Sequence, residues 1–127
     1  MATLSYTRAI FGSTQCAAAG TSNVSVLTSW SNAAGWVATV ELIITAVGVS
    51  SEQTNVYYRR EVFKWTLAAA HPASVGALVA ATILEEDAVW DAAVALATDA
   101  VQVQCTGDAV EKVNFVWSGT IRFQKVG

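Results

Sequence analysis

Four carboxylates within seven residues, Glu85, Glu86, Asp87 and Asp91, are the densest group of chemically capable side chains in this chain. Clustered carboxylates can bind Ca²⁺, and paired ones can cleave glycosidic bonds. A calcium loop supplies about six to eight oxygens and uses glycine to turn sharply, but this stretch has neither a glycine nor an Asp-x-Asp spacing. A glycosidase also needs a substrate groove, which the sequence does not show. The cluster is therefore interpreted as a solvated turn.

Nucleophilic catalysis is the next chemistry to consider, since the chain has one histidine and two cysteines. His71 precedes the only proline, Pro72, and no nucleophile elbow or other catalytic signature accompanies it. Cys16 and Cys105 share no metal-ligand spacing with each other or with His71. Cys105 alternates with valines, which predicts a buried thiol, and a disulfide between the two cysteines stays open. No enzyme, cofactor or metal site is predicted.

Five tryptophans raise the question of a sugar-binding platform: Trp30, Trp36, Trp65, Trp90 and Trp117. Trp36, Trp90 and Trp117 lie in phase with apolar alternation, which favours core packing over exposure. Trp30 and Trp65 are less constrained. Carbohydrate binding remains an alternative.

The composition indicates association. Hydrophobic residues make up 54% of the chain and charged residues 13%, whereas an average soluble domain is about 25% charged. A chain of this kind leaves weakly polar surface exposed, which predicts packing against its own copies or a partner protein. The net charge of −3 and scattered basic residues argue against nucleic acid. The longest apolar window, residues 36–49, is short for a bilayer and contains Glu41, so no membrane span or signal peptide is predicted.

Strand signals are clearest near the C-terminus. Residues 113–123 alternate apolar and polar with a period of two, and Gly119 on the apolar side predicts a bulge or a close backbone approach. Residues 101–105 alternate similarly. These two segments are predicted to pair as an antiparallel hairpin with residues 107–112 as its loop.

The middle of the chain predicts a second hairpin. Residues 36–47 fit a central strand, and residues 56–66 follow a polar turn. Periodicity does not decide which face of the second strand is inside. An alanine-rich strand over residues 75–84 is predicted next, with space for Trp36 or Trp90 to pack over it.

Two segments remain ambiguous. Residues 85–97 begin with acidic residues and are rich in Ala, which favours a helix, yet Trp90 to Leu96 also alternate as a strand does. Residues 3–11 fit either a strand or an extended arm, and residues 24–30 a short strand. The length predicts one domain over residues 1–127, with residues 1–30 as an N-terminal arm or partner-contacting segment.

Residues 36–125 resemble β-domains of tailed-phage virion proteins. The resemblance rests on Tyr-x-Arg-Arg-x-x-Phe-Lys at residues 57–64, Asp-x-x-Trp-Asp at 87–91, Val-x-Val-x-x-Thr-Gly at 101–107 and the strand Val-Asn-Phe-Val-Trp at 113–117. The chain departs from that pattern at Glu61 and in its short turn at Thr98 and Asp99. The N-terminal third has no counterpart.

The resemblance implies an all-β antiparallel sandwich, jelly-roll-like, and makes residues 90–96 a strand. It implies a virion structural protein that assembles in the host cytoplasm, foremost a capsid decoration or cement protein that bridges subunits of the major capsid protein or another virion protein. The alternatives are a receptor- or glycan-binding fibre domain and a minor tail or neck protein. A homo-oligomer is expected. The predicted partner-binding residues are Leu4, Tyr6, Arg8, Ile10, Phe11 and Trp30, and deletion of residues 1–11 is expected to weaken attachment and to leave the fold.

Overall fold

A computed structural model describes residues 3–17, 20–27, 35–64, 73–74, 79–97 and 100–126. Within these residues the chain forms nine β-strands: β1 (Thr3–Cys16), β2 (Thr21–Leu27), β3 (Trp36–Gly48), β4 (Thr54–Lys64), β5 (Ala73–Ser74), β6 (Val79–Glu85), β7 (Asp91–Ala97), β8 (Ala100–Thr106) and β9 (Val113–Val126). All pairings between them are antiparallel. The predicted all-β antiparallel sandwich is confirmed.

The larger sheet has the strand order β1-β9-β3-β4, and both β5 and β6 pair with the far side of β4. Its central strand β3 lies between β9 and β4, as predicted for residues 36–47. Alternation along β3 buries Ala38, Val40, Leu42, Ile44 and Ala46 and turns the intervening side chains outward. One face of this sheet therefore forms half of the core.

The smaller sheet has the order β2-β8-β7. Its inner face contributes the buried side chains Ala92, Val94, Val101, Val103 and Cys105, which pack against those of the larger sheet. Strand β7 confirms the extended interpretation of residues 90–96 over the helix. Ala92 and Val94 are buried on the inner face of the smaller sheet, whereas Ala93 and Ala95 are partly exposed on its other face. This period of two is that of a strand and not of a helix.

The predicted hairpin between residues 101–105 and 113–123 is wrong. Strand β8 pairs with β2 and β7 in the smaller sheet, and β9 pairs with β1 and β3 in the larger one. The segment 107–112 crosses between the sheets and is held by contacts to other loops: Gly107 N donates to Gly20 O at 3.2 Å, and Val49 N donates to Lys112 O at 3.0 Å. A period of two identifies strands but not their partners.

Gly119 confirms the predicted close backbone approach. It lies opposite Leu42 in β3 and Ile10 in β1. A Cβ atom at this position would stand 1.9 Å from the carbonyl oxygen of Glu41. Only a residue without a side chain fits there.

The buried face of β4 is the odd one, which the sequence left undecided. Tyr57 and Phe63 are buried together with Arg59 and Glu61. Arg59 is accommodated because its guanidinium donates to carbonyl oxygens: Nε to Ala92 O at 2.7 Å and Nη1 to Ala81 O at 2.7 Å. These bonds connect β4 with β6 in its own sheet and with β7 in the other.

Strand β6 differs from the prediction for residues 75–84. Its described part starts at Val79, residues 75–78 lie outside the described residues, and every residue from Val79 to Glu85 is exposed. Its alanines are therefore not buried beneath a tryptophan as predicted. The strand lies at the edge of the larger sheet, where β4 is its pairing partner.

The N-terminal segment is a strand over Thr3–Cys16, where the sequence allowed either a strand or an arm. It pairs with β9 along its whole length, from Thr3 opposite Val126 to Cys16 opposite Val113. The segment 1–30, predicted as an N-terminal arm or partner-contacting segment, forms two edge strands, β1 and β2, in its described residues. Its contact with a partner stays a prediction. Backbone hydrogen bonds to β9 stabilise what would otherwise be a solvated chain.

Candidate interaction surfaces

The predicted partner-binding residues do not share one surface. Tyr6, Arg8 and Ile10 lie opposite the buried residues or Gly119 of β9, so their side chains are on the inner face at the sheet edge. Phe11 projects from the opposite face and is 81% exposed. The side chain of Leu4 and all of Trp30 lie outside the described residues.

Tyr6 and Arg8 make contacts within the fold. The Tyr6 ring stacks on Phe123 with centroids 4.7 Å apart and meets Trp36 edge-on at 5.8 Å. The Arg8 guanidinium lies 5.6 Å from the Phe123 ring centroid and donates to Val26 O at 3.4 Å. These two side chains help to close the sandwich, and Phe11 is the described candidate most available to a partner.

Phe11 belongs to a broad apolar surface. The strand register places residues of β1, β9, β3, β4 and β6 in cross-strand rows on the side of the larger sheet that faces away from the core, here called the outer face. The three rows next to the β3–β4 turn carry no charged residue. Their exposed apolar side chains are Phe11, Ile43, Val47, Leu84 and Val116.

The other half of the outer face is charged. Its rows contain Glu41, Arg60, Lys64 and Arg122. The Tyr58 hydroxyl donates to Glu41 Oε2 at 2.5 Å at the boundary between the two halves. The three cations outnumber the single carboxylate, so this half is basic although the chain as a whole is acidic.

A second surface lies at the end of the sandwich where β3, β6 and β8 finish, here called the turn end. Three turns meet there, and each exposes one valine: Val49, Val89 and Val110. Most acidic residues of the chain lie at this end, namely Glu52, Glu85, Glu86, Asp87, Asp91, Asp108 and Glu111. The predicted solvated acidic turn is part of this surface.

Buried polar side chains tie the turns together. Asn55 Oδ1 accepts from Glu86 N at 2.9 Å and Asp87 N at 3.0 Å, and Trp90 Nε1 donates to Asp108 Oδ2 at 2.8 Å. That indole bond, followed by the Val110 and Glu111 amides, lowers the pKa of Asp108 below its usual range. These contacts hold the turn end in one conformation.

Glu111 links the β8–β9 connection to the β3–β4 turn. Its Oε1 accepts from Ser50 N at 2.9 Å and Ser51 N at 3.0 Å. Backbone donation from Ser51, with its hydroxyl and the Ser50 amide, lowers the pKa of Glu111. Two carboxylates at this end, Asp108 and Glu111, therefore have a structural role, since hydrogen bonds from neighbouring turns stabilise their charged form.

An apolar cleft of about 300 Å³ separates the edge strands β1 and β2. Ile10, Gly12, Val24, Val26 and Trp117 are among the residues that line it. The hydroxyls of Thr14 and Ser22, 2.6 Å apart, bring the strands together near one end of the cleft. Trp117 is 2% exposed, and its Nε1 has no hydrogen-bond partner.

The two cysteines are buried free thiols where the sequence left a disulfide open. Cys16 Sγ donates to Cys105 O at 3.5 Å across the two sheets. Burial raises the pKa of Cys16, and it raises the pKa of Cys105 to about 12. Both thiols therefore stay protonated at neutral pH.

Among residues 3–126, apart from the gaps given above, no three His, Cys, Asp or Glu side chains lie together as metal ligands would. Within the same residues no helix is long and apolar enough to cross a membrane. His71 and Trp65 lie outside the described residues.

Comparison with known proteins finds a distant structural likeness. No protein-family model matches the sequence, and no curated protein matches it. The tailspike protein of Acinetobacter baumannii phage AM24 is similar over 94% of this chain, with a TM-score of 0.47 and 9% sequence identity. This chain spans about a quarter, 26%, of the length of the tailspike chain.

Sequence reasoning missed the outer face and the turn end. Ile43 and Val47 belong to a strand that is apolar on both faces, and Val116 interrupts the polar side of β9. That excess of apolar residues on a side that should be polar was the available signal. The strand register was needed to show that these side chains are neighbours.

Proposed function

We propose that this chain is a structural domain of a tailed-phage virion that packs against neighbouring protein subunits. The observation that carries the proposal is the uncharged half of the outer face, with Phe11 and Val116 more than half exposed. Exposed apolar side chains grouped on one face and rimmed by polar residues commonly mark a contact with another protein. The resemblance of residues 36–125 to virion β-domains supports the choice of a virion as the setting.

The proposed role is mechanical, without a catalytic step. A domain that binds only assembled neighbours adds free energy to the assembled state and shifts the equilibrium toward it. Many copies along a particle would multiply weak contacts into firm attachment. The hydrogen-bonded turn end and the two packed sheets supply the rigidity that such contacts need.

Two placements fit this role, a decoration protein on the capsid and a domain of a tail or fibre. Decoration was expected to use the N-terminal segment as an arm, but Thr3–Cys16 is occupied by pairing with β9. Attachment through the outer face requires no free arm and suits either placement. We therefore propose attachment through the outer face and leave both placements to the same test.

Mass spectrometry of purified particles tests the proposal. Labelled reference peptides would give the number of copies of this chain relative to the major capsid protein. We expect the chain in the particles, with a copy number close to that of the capsid protein for decoration and far lower for a tail or fibre domain. Its absence from washed particles would overturn the proposal.

A substitution is a cleaner attachment test than deletion of residues 1–11, because that deletion removes most of β1 from the larger sheet. Phe11→Ser removes the exposed ring and keeps the strand. The expected result is reduced occupancy on particles, with Val110→Ser as the matched control at the turn end. Unchanged occupancy of the Phe11 variant would exclude this part of the surface from attachment.

A further inference from the structure

We propose that two copies of this chain form a dimer through the uncharged halves of their outer faces, about a twofold axis that sets the two sheets antiparallel. The proposal names a partner and a surface, and it holds whether or not the chain is a virion protein. It rests on three features of the outer face: its apolar side chains, its extent and its distribution of charge.

The apolar side chains are diagonal neighbours in adjacent rows, with hydroxyl-bearing side chains directly across from them. Val116 lies opposite Thr45 of β3 and Ser13 of β1, while Ile43 and Phe11 both lie opposite Ser118 in the adjacent row. Across this area the remaining side chains are small, hydroxyl-bearing or amide-bearing. Apolar side chains spaced in this way on one face of a sheet suit the face of a second sheet, as in sandwiches that pack at about −30°.

The uncharged half supplies somewhat more than half of the area that a specific interface buries per partner, and the charged rows beside it supply the rest. Five strands about 4.8 Å apart and three rows about 6.8 Å apart give roughly 24 by 20 Å, or ~480 Å², for the uncharged half. Specific interfaces bury about 800 Å² per partner. The adjoining basic row of one copy, set against the turn end of the other, supplies further contact at both ends of the interface.

The charges select the antiparallel arrangement. With the axis near Val116 and Thr45, the uncharged rows of the two copies face each other. The basic half of each, with Arg60 and Arg122, then lies toward the acidic turn end of the other, with Glu52 and Glu86. A parallel arrangement would instead oppose basic rows to basic rows, which costs free energy.

A second copy fits better than a different protein on symmetry grounds. A twofold contact places a patch against its own image, so it requires a patch that tolerates itself. The uncharged half meets this condition. The same axis brings the basic half of each copy, beyond one end of this patch, onto the acidic turn end of the other copy, beyond its opposite end. The edge strand β6 adds Leu84 to the outer face, where this side chain is exposed. Contact with the second copy would cover Leu84 as well.

Sedimentation equilibrium of the purified chain over a range of concentrations, in the micromolar region, tests the dimer. We expect the wild type to approach twice the chain mass. Val116→Lys places two lysines next to the axis and should weaken association at least tenfold, as should Ile43→Lys. The control Asn23→Lys adds the same charge at an exposed position of β2 in the smaller sheet, away from both the outer face and the turn end, and should leave the dimer intact.

Circular dichroism and thermal unfolding of each variant would show that the fold is retained, and a variant that unfolds is replaced by Val116→Ser, which adds no charge. Raising the salt concentration should weaken the dimer several-fold without abolishing it, since the apolar contact is not screened. A wild type that stays monomeric, or a dimer that Asn23→Lys breaks and Val116→Lys does not, would overturn the proposal. Neither result affects the copy number on particles.

Discussion

At the scale of single residues, the sandwich depends on a buried cation. Arg59 is nearly enclosed, its guanidinium lies 4.9 Å from the Tyr57 ring centroid, and it donates to main-chain oxygens on two other strands. Asp91, which is exposed, contributes a 3.4 Å ion pair of minor weight. The carbonyl oxygens of Ala81 and Ala92 would lose this donor if the side chain were shortened.

We predict that Arg59→Gln lowers the free energy of unfolding by about 2–4 kcal/mol, because it removes hydrogen bonds from buried carbonyl groups and leaves a space. Arg60→Gln is the matched control, since the neighbouring arginine is exposed on the outer face. Its effect should stay within about 0.5 kcal/mol. Urea denaturation measures both. Equal effects of the two substitutions would contradict the role given to Arg59.

At the scale of elements, the contact between β3 and β9 sets the geometry of the larger sheet. Gly119 lets the β9 backbone approach Glu41 and Leu42 more closely than any side chain would permit. Strand β9 also carries β1 on its other side, so an error at this position would disturb three adjacent strands. The glycine is therefore a requirement of strand pairing.

We predict that Gly119→Ala destabilises the fold by about 3 kcal/mol or more, since overpacking against a backbone atom cannot be relieved by a rotamer change. Ser118→Ala is the control on the same strand, with its side chain exposed on the outer face. Chemical denaturation of both proteins gives the comparison. If the free energy of unfolding of the Gly119 variant lay within about 1 kcal/mol of that of the control, the size of an ordinary surface change, the close approach of β9 to β3 would not be required for stability.

At the scale of the whole molecule, charge is separated along the strand direction. Acidic side chains gather at the turn end and basic ones on the far half of the outer face. The acidic end is stable because the Asp108 carboxylate accepts a hydrogen bond from the Trp90 indole and the Glu111 carboxylate accepts one from the Ser51 amide. The same separation gives the proposed dimer its direction.

We predict that stability falls in acid because of this end. The folded pKa values of Asp108 and Glu111 lie below the ordinary values of 3.8 and 4.5. Their contribution is therefore complete above those ordinary values and is lost as the pH falls toward the folded pKa values. The free energy of unfolding should be flat near neutral pH and decline below about pH 4.5.

The double substitution Asp108→Asn with Glu111→Gln tests the source of that decline. It should lower stability at neutral pH and flatten the slope in acid, because the titrating groups are gone. Glu52→Gln removes an exposed carboxylate from the same end and should keep the wild-type slope. Denaturant titrations at several pH values measure the slope, and an unchanged slope in the double variant would assign acid sensitivity to other groups.

The sequence determined the strands and the features that depend on near neighbours. Period-two alternation identified β8 and β9, and a run that is apolar on both faces identified β3. The polar turn predicted the β3–β4 hairpin, and an apolar-side glycine marked the close approach at Gly119. Each of these features shows in the pattern of residues a few positions apart, even where the contact itself, as at Gly119, is with a distant strand. Low charge likewise predicted exposed apolar surface before its location was known.

Only the tertiary structure decided which strands pair and which faces are buried. Strand β8 prefers β2 and β7 to the nearby β9 because burial between two sheets outweighs the short connection. Arg59 faces inward because the carbonyl oxygens of Ala81 in β6 and Ala92 in β7 accept hydrogen bonds from its guanidinium. Phe11, Ile43 and Val116 become one surface because register joins three strands that are far apart in the chain. Such pairings depend on the packing of the whole sandwich, which no local pattern encodes.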